Sequence, residues 1–372
     1  MMKPTAMRAL GLMSGTSMDG IDAALLISDG ETIDGFGPTA YHPYSDADRS
    51  LARRAMARAR SLEDRDARPD VVGEAEDCIT QRHIDFLRGF LDRCGPVDLI
   101  GFHGQTVFHD PDRALTVQIG DGERLADELG VPVIFDLRAA DVRAGGQGAP
   151  LVPIYHRALV DHLRLKLPVA VVNIGGVANV TWVGDDGTLG AFDTGPGNAL
   201  MNDWVKTHTG ADYDAGGALA QRGQVDPDVL AALGDNPYFA RAWPKSLDRD
   251  AFDLSPVKEL GLEDGLATLA AFTVDSLVRG LAQFEAAPET VLIAGGGAHN
   301  PVLMKRLREA VGVPVQTMTE IGLDADFIEA QAFAYCAIRS DRGLPLTFPG
   351  TTGVAEPMTG GRRADPRLCP VA

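Results

Sequence analysis

Apolar and polar positions alternate along this chain in two different rhythms, one of strands and one of helices. Met7 to Met13 is a short apolar run, the polar SGTSMDG turns it, Ile21 to Ile27 reads as a second strand, and Ser28 to Glu31 turns the chain toward a third. The same arrangement returns much later. Val169 to Ile174 is apolar, Gly175 and Gly176 turn it, Ala178 to Val183 alternates like a strand, and GDDG leads to Leu189 to Phe192. Residue identity between the two segments is low, so the pattern points to a structural duplication rather than a short sequence repeat. Between these starts, Ile79, Phe86, Leu87, Phe90 and Leu91 recur at helical spacing within Glu74 to Arg93, which Gly95-Pro96 ends. Strands are expected at Val97 to Phe102, Leu115 to Ile119 and Val131 to Phe135, with a short helix from Gly122 to Leu129. In the second half, Leu266 to Phe284 carries one wide apolar stripe, followed by a strand at Thr290 to Ala294 and helices at Pro301 to Val311 and Phe327 to Ile338. The Pro- and Gly-rich tail after Gly343 reads as a surface wrap or a mobile segment. This is alternating α/β architecture.

Length and charge narrow the picture. A chain of 372 residues suits two domains better than one core, and 45% apolar with 23% charged residues is the balance of a globular protein. The 52 acidic residues outnumber 34 basic ones, giving a net charge of −18 that repels a nucleic-acid backbone. A small phosphate ligand would need local compensation from backbone N–H groups, a few Lys or Arg, and Mg²⁺. Cys78, Cys94, Cys336 and Cys369 are far apart, with neither a CxxC pair nor metal-ligand spacing. The start MMKPTAMRAL lacks the apolar core of a signal peptide, and no run of about 20 apolar residues suggests a membrane span. A cytoplasmic protein is expected, with no membrane or nucleic-acid partner.

Glycine-containing turns carry the candidate chemistry. GLMSGTSMDGIDAALL, residues 11–26, sets Gly15, Thr16, Ser17, Met18, Asp19, Gly20, Ile21 and Asp22 in the first hairpin. Glycine lets backbone approach a ligand, small hydroxyls donate to phosphate oxygens, and an Asp beside them can hold Mg²⁺ directly or through water. An ordinary polar hairpin turn has the same composition. NIGGVANV, residues 173–180, places Gly175, Gly176 and Asn179 in the equivalent hairpin of the second half, and a matched pair of such turns can grip a phosphate chain from two sides. AGGGAHNPVLMKRL, residues 294–307, puts Gly295, Gly296 and Gly297 before a helix with Asn300 as N-cap and Pro301 at its first position. It reads as an adenosine platform or as close packing of helix on strand. FDTGPGN, residues 192–198, ends a strand with Asp193, which either accepts a proton from water or a hydroxyl, or caps a helix.

The remaining polar clusters suit a sugar. GFHGQTVFH, residues 101–109, sets His103, Gln105 and Thr106 at the end of a strand, where open α/β sheets meet ligands; a structural histidine fits equally. His103 and His109 lack the HExxH spacing, so no protein-bound metal centre is expected. FDLRAADVRAGGQGAPLVP, residues 135–153, offers Asp136, Arg138, Asp141 and Gln147 in a crossover between domains, although Asp136 and Arg138 could simply pair. Glu329 falls in the first turn of the last helix, where a solvated Glu is ordinary.

GTSMDGID, FHGQT, VQIGD, FDLRAADVRAGGQGAPLVP, NIGGVANVT, FDTGPGN, WPKSLDRDAFD and AGGGAHNPVLMKRL, in this order along nearly the whole chain, resemble the anhydro-N-acetylmuramic acid kinase family. The resemblance implies a two-domain actin-like ATPase (ribonuclease H-like) fold with a central interdomain cleft. Domain I would comprise residues 1–135 plus 327–372, and domain II residues 136–326. It further implies ATP and Mg²⁺ as cofactors and an amino sugar as substrate, with phosphorylation at O6 and opening of the 1,6-anhydro bridge by water during peptidoglycan recycling. Carried over by residue, Asp193 is the general base and Glu329 touches the anhydro sugar. Gly15 to Asp22 form the phosphate loop, and Gly175, Gly176 and Gly295 to Gly297 line the nucleotide side; His103, Gln105, Thr106, Arg138 and Asp141 are the further substrate candidates. Two positions depart from the family pattern: Asn202 stands where Asp is usual, with Asp203 following, and KSLDRDAF replaces the commoner KSTGRExF. Another sugar kinase of the same fold and a nonenzymatic nucleotide switch are the competing readings, and a homodimer is the assembly left open.

Overall fold

The computed structural model describes residues 5–15, 17–247 and 252–367; Thr16 of the first hairpin and residues 248–251 of the KSLDRDAF segment lie outside the described residues. By backbone contacts the chain divides into two units, one running to Leu163 and resuming at Phe327, the other Arg164–Asp326.

The first unit opens with β1 (Met7–Ser14), β2 (Gly20–Ser28) and β3 (Ile33–Pro43), then α1 (Asp46–Ala59), α2 (Val71–Cys94), β4 (Leu99–Asp110), β5 (Leu115–Ile119), α3 (Gly122–Leu129), β6 (Val133–Phe135), α4 (Ala139–Arg143) and α5 (Pro153–His162). Local chemistry sets many of these ends. Ser45 caps α1 through a capping box, its hydroxyl accepting from the Asp48 N–H while the Asp48 carboxylate accepts from the Ser45 N–H. Asp121 caps α3, which stops at Gly130 in the left-handed region.

The second unit contains β7 (Val169–Ile174), β8 (Val177–Val183), β9 (Leu189–Pro196), α6 (Ala199–Thr209), α7 (Ala218–Arg222), α8 (Pro227–Gly234), α9 (Leu262–Leu281), β10 (Thr290–Ala294), α10 (Pro301–Val311) and β11 (Val315–Thr317). The chain then returns to the first unit with α11 (Ile328–Asp341), α12 (Pro349–Thr352) and β12 (Arg362–Ala364).

Both sheets are built to one plan. The first reads β3-β2-β1-β4-β6 and the second β9-β8-β7-β10-β11. In each, the first three strands are antiparallel and the next two join in parallel. The duplication expected from the hydrophobic pattern is therefore a repeat of topology. The first unit adds β5 beside β4, and β12 antiparallel to β6.

Alternation along β1 sorts its residues to two faces. Leu10 and Leu12 enter a core with Ile84, Leu87, Phe90 and Phe102. On the other face Gly11 lies against α11, where a Cβ would meet the Ala330 carbonyl oxygen at 1.8 Å; Gly101 of β4 meets the Phe333 carbonyl oxygen in the same way, at 2.2 Å. In the second unit, Ala170, Val172 and Ile174 of β7 join Leu266, Leu269, Phe272 and Leu277 of α9 in one core.

Two expectations change here. Residues 136–163, placed with the second domain in the sequence reading, pack within the first unit: Asp141 is hydrogen-bonded to Gly148 and Thr352, and α5 lies against α11. The tail after Gly343, expected as a surface wrap or mobile segment, instead buries Thr351 and Thr352 and supplies the edge strand β12. Among the described residues, no helix is long and apolar enough to cross a membrane.

Candidate active site

In the second unit, three turns converge because glycine permits it. The Gly197 N–H donates to the Gly176 carbonyl at 2.9 Å and the Asn198 N–H to the Gly175 carbonyl at 2.7 Å. A Cβ on Gly197 would stand 2.2 Å from the Gly175 oxygen, so no larger residue fits. The Asn198 side chain donates to the Ile174 carbonyl, and Thr273 of α9 donates to the Gly197 carbonyl at 3.0 Å. Gly295 adopts φ +77° and a Cβ there would strike Asn173 Oδ1 at 2.2 Å. Gly175–Gly176, Gly195–Asn198 and Gly295–Gly297 thus form one glycine-lined surface at the ends of β7, β9 and β10. Asn300 caps α10 by accepting from the Val302 and Leu303 N–H groups, with Pro301 in the first turn, as the sequence suggests. Beside that helix start lies a cavity of about 330 Å³ lined by Ala220, Gln221, Gly223, Pro301, Val302 and Lys305, among others.

Asp193 sits on β9 next to this surface and does not cap a helix. Its register partner is Asn179 on β8, which in turn opposes Asn173 on β7, so three polar side chains share one row. The Asn179 Oδ1 is buried and has no hydrogen-bond partner. One oxygen of the Asp193 carboxylate, Oδ2, accepts the Leu247 N–H at 2.8 Å. Burial raises the carboxyl to about 7, and the Leu247 hydrogen bond only partly opposes that rise. A carboxyl that titrates there can take up and release a proton near neutral pH.

In the first unit, the first hairpin is braced from β4. Ser14, buried, donates to Gln105 Oε1 at 2.8 Å, and Gln105 Nε2 donates to the Gly15 carbonyl at 3.0 Å. Both ends of the Gln105 amide are thus engaged inside the unit, and the side chain ties β4 to the first hairpin. Met18 turns the hairpin at φ +55°, and Ser17 and Asp19 are exposed at its tip with the hydroxyl donating to Asp19 Oδ1 at 2.9 Å. Ile21 faces the core, where burial explains it without a ligand, and Asp22 is half-buried on β2. Gly20 is required sterically, since a Cβ would lie 2.3 Å from the His42 carbonyl.

Arg138 does not pair with Asp136, which binds Arg65 at 2.6 Å. Its guanidinium donates instead to His103 Nε2 from Nε at 3.1 Å and to the Gly148 carbonyl from Nη1 at 2.8 Å. Burial and this cation drive His103 down to about 3. The ring is therefore neutral, with Nδ1–H donating to the Gly104 carbonyl at 2.7 Å and Nε2 accepting from Arg138. Phe333 of α11 underlies the His103 ring at 4.6 Å. Glu329, one turn earlier on α11, is half-buried; burial raises its pKa, Arg138 opposes the rise and Asp19 adds to it. Glu329, Arg138 and Asp19 thus share one electrostatic neighbourhood. Thr106 accepts from Gln118 at 3.2 Å. Asp141 is buried with one oxygen on the Gly148 N–H and the other on the Thr352 hydroxyl, each at 2.6 Å. It pins the 138–148 loop to the chain at Thr352.

Three participants escaped the sequence reading. Ser14 is part of the SGTSMDG turn but carries no signal of its own. Lys245 belongs to the WPKS segment, whose contacts with Asp193 run through the backbone. Tyr238, whose hydroxyl donates to the Asp193 carbonyl, lies 45 residues away in a stretch without a motif.

A repeated sheet order with glycine turns after the first strand of each unit places this molecule in the duplicated ribonuclease H-like class to which the actin-like ATPases and many sugar kinases belong. The family model for anhydro-N-acetylmuramic acid kinase matches residues 7–364. Anhydro-N-acetylmuramic acid kinase of Methylobacterium nodulans is 51% identical, with 97% of this chain and 100% of the relative covered. That of Azorhizobium caulinodans is 52% identical over 95% of this chain and 98% of its own length. Component A of (R)-2-hydroxyglutaryl-CoA dehydratase from Acidaminococcus fermentans aligns with 90% of this chain and 99% of its own at 12% identity and a TM-score of 0.47, too loosely to bear on activity. The chain belongs to the anhydro-N-acetylmuramic acid kinase family and is a kinase.

Proposed function

We propose that this kinase uses MgATP to phosphorylate O6 of 1,6-anhydro-N-acetylmuramic acid while water opens the anhydro bridge at C1, giving N-acetylmuramic acid 6-phosphate and ADP for peptidoglycan recycling in the cytoplasm. The observation that carries this reading is Asp193: a carboxyl raised to about 7 by burial, fixed through Oδ2, and set beside a glycine surface suited to phosphate. Ionised Asp193 accepts one proton from the attacking water. The water oxygen bonds to C1, the C1–O6 bond breaks, and its electron pair leaves O6 free to take the γ-phosphoryl group. No covalent enzyme intermediate is needed.

The other residues hold and orient. Gly175, Gly176, Asn179 and Gly295 to Gly297 offer bare backbone to the nucleotide, and the 330 Å³ cavity beside α10 has room for a purine base. Gly15 to Gly20, with Thr16 and Ser17, supply phosphate donors from the first unit. Asp19 and Asp22 present hard oxygen donors of the kind Mg²⁺ prefers, and the ion, when bound, offsets charge on the phosphates. Glu329, Arg138 and His103 face the sugar, with Thr106 nearby, while Gln105 and Asp141 hold the surrounding loops. The test is incubation with MgATP and the anhydro sugar in ¹⁸O-water. Mass spectrometry should find label at C1 and phosphate at O6; phosphorylated product without label would overturn the coupled mechanism.

A further inference from the structure

Asp193 is gripped by the segment 238–247, which runs into the WPKSL stretch, and the grip has a clear anchor. The Asp193 N–H donates to the Lys245 carbonyl at 3.1 Å, its own carbonyl accepts from the Tyr238 hydroxyl, and its Oδ2 accepts from the Leu247 N–H. Three of its polar groups are therefore held from residues 238–247, beyond the β8 pairing that fixes the strand. The segment is closed on itself by one side chain. The Lys245 ammonium donates to the Arg241 carbonyl at 2.8 Å and the Tyr238 carbonyl at 3.2 Å. It lies over the Tyr238 ring at 4.7 Å and the Phe192 ring at 5.3 Å.

Lys245 is only 4% exposed, and no carboxylate forms an ion pair with it among the described residues. A buried cation is costly, so such a lysine needs a compensating role. Strand alternation excludes the simplest one. Phe192 and Asp193 point to opposite faces of β9, and the ammonium sits on the Phe192 side, so it is not the counter-ion of the carboxylate. What it reaches are carbonyls, and what those bonds fix is the path of the backbone from Tyr238 to Leu247.

We propose that Lys245 and Tyr238 are positioning residues for the Asp193 carboxylate: Lys245 locks the 238–247 strap so that the Leu247 N–H holds Oδ2 and leaves Oδ1 directed at the reacting water. This rests on Asp193 being the general base. Neither side chain touches substrate, so their loss acts on the proton-transfer step rather than on binding.

The test is a pair of double-mutant cycles in the full-length enzyme. Lys245→Met and Tyr238→Phe should each lower kcat by about tenfold or more while KM for ATP and for the anhydro sugar changes less than about threefold, and Lys245→Arg, which keeps donors to both carbonyls, should recover much of the loss. In the Asp193→Asn background, the same two substitutions should cause little further loss, because the group they position is already gone. Should Lys245→Met fail to fold, Tyr238→Phe, which keeps the ring, completes the cycle alone. Full additive losses in the Asp193→Asn background, or a rise in KM with unchanged kcat, would overturn the proposal. If Asp193→Asn itself retains native turnover, it is the general-base reading that fails, and the two failures are thereby separate.

Discussion

Asp193 must be ionised to act as a base, and burial keeps it protonated up to about pH 7. Turnover per bound substrate should therefore rise about tenfold per pH unit below 7 and level off above it, read as kcat against pH at saturating substrate. Asp193→Asn should lower kcat by about 10² or more and abolish that limb; native-like turnover would reject the assignment. The same pKa has a cost in stability. The folded carboxyl binds its proton more tightly than the unfolded one, whose ordinary value is 3.8, so between there and about 7 the native state carries the extra proton. Stability from this group is full below the unfolded value and falls as pH rises through the folded one. Thermal unfolding should thus show Asp193→Asn gaining on the native protein between pH 4 and pH 8; a constant difference across that range would mean the carboxyl is not raised.

At the scale of elements, close packing of α11 on β1 and β4 dictates glycine at positions where no turn requires it. A Cβ on Gly101 would stand 2.2 Å from the Phe333 oxygen and 2.9 Å from the Ala337 Cβ, so Gly101→Ala must push α11 outward, an overpacking that costs about 1–3 kcal/mol. Gly89, exposed within α2 with nothing within 4 Å of where a methyl group would stand, is the opposite case, and Gly89→Ala should stabilise by about 0.5–1 kcal/mol. Chemical denaturation of the two variants should move in opposite directions, and a neutral Gly101→Ala would contradict the packing. Such contacts also mark what was readable in the sequence. Strands 115–119, 169–174 and 290–294 and helices 122–129 and 301–311 lie where periodicity and capping residues put them, because their signals are local. Helix α1 has a Ser45 capping box but a polar, Arg-rich sequence, so its weak apolar stripe hid it. The tail differs for another reason: its glycines and prolines describe a turn-rich path, while its burial comes from partners far away, Thr352 on Asp141 and Ala364 beside Val133. In the site, glycine turns announced themselves by composition. Commitments such as Gln105 to Gly15, or Asp193 to Leu247, depend on long-range placement that no local pattern encodes.

The order of segments along the whole chain makes the two units unequal in folding. The second unit is continuous from Arg164 to Asp326 and has its own core, in which β7, β8, β9 and β10 are covered by α9 and α10. The first is interrupted by it. Its central strands β1 and β4 present Gly11 and Gly101 to α11, a helix that arrives only after the second unit is complete. Without α11, that face of the sheet would expose Ala9, Gly11 and Gly101 backbone to water and lose the buried Phe333, Tyr335 and Ile338 side chains, each large apolar burial being worth about 1.5–3 kcal/mol. A domain has only about 5–15 kcal/mol of net stability, so the loss of several such side chains is decisive. Residues 164–326 expressed alone should accordingly show a cooperative thermal transition, whereas residues 1–163 should not, and adding 327–372 through a short linker in place of the second unit should restore one to the first. A cooperative transition in 1–163 by itself would show that α11 is an accessory to the first sheet rather than half of its core.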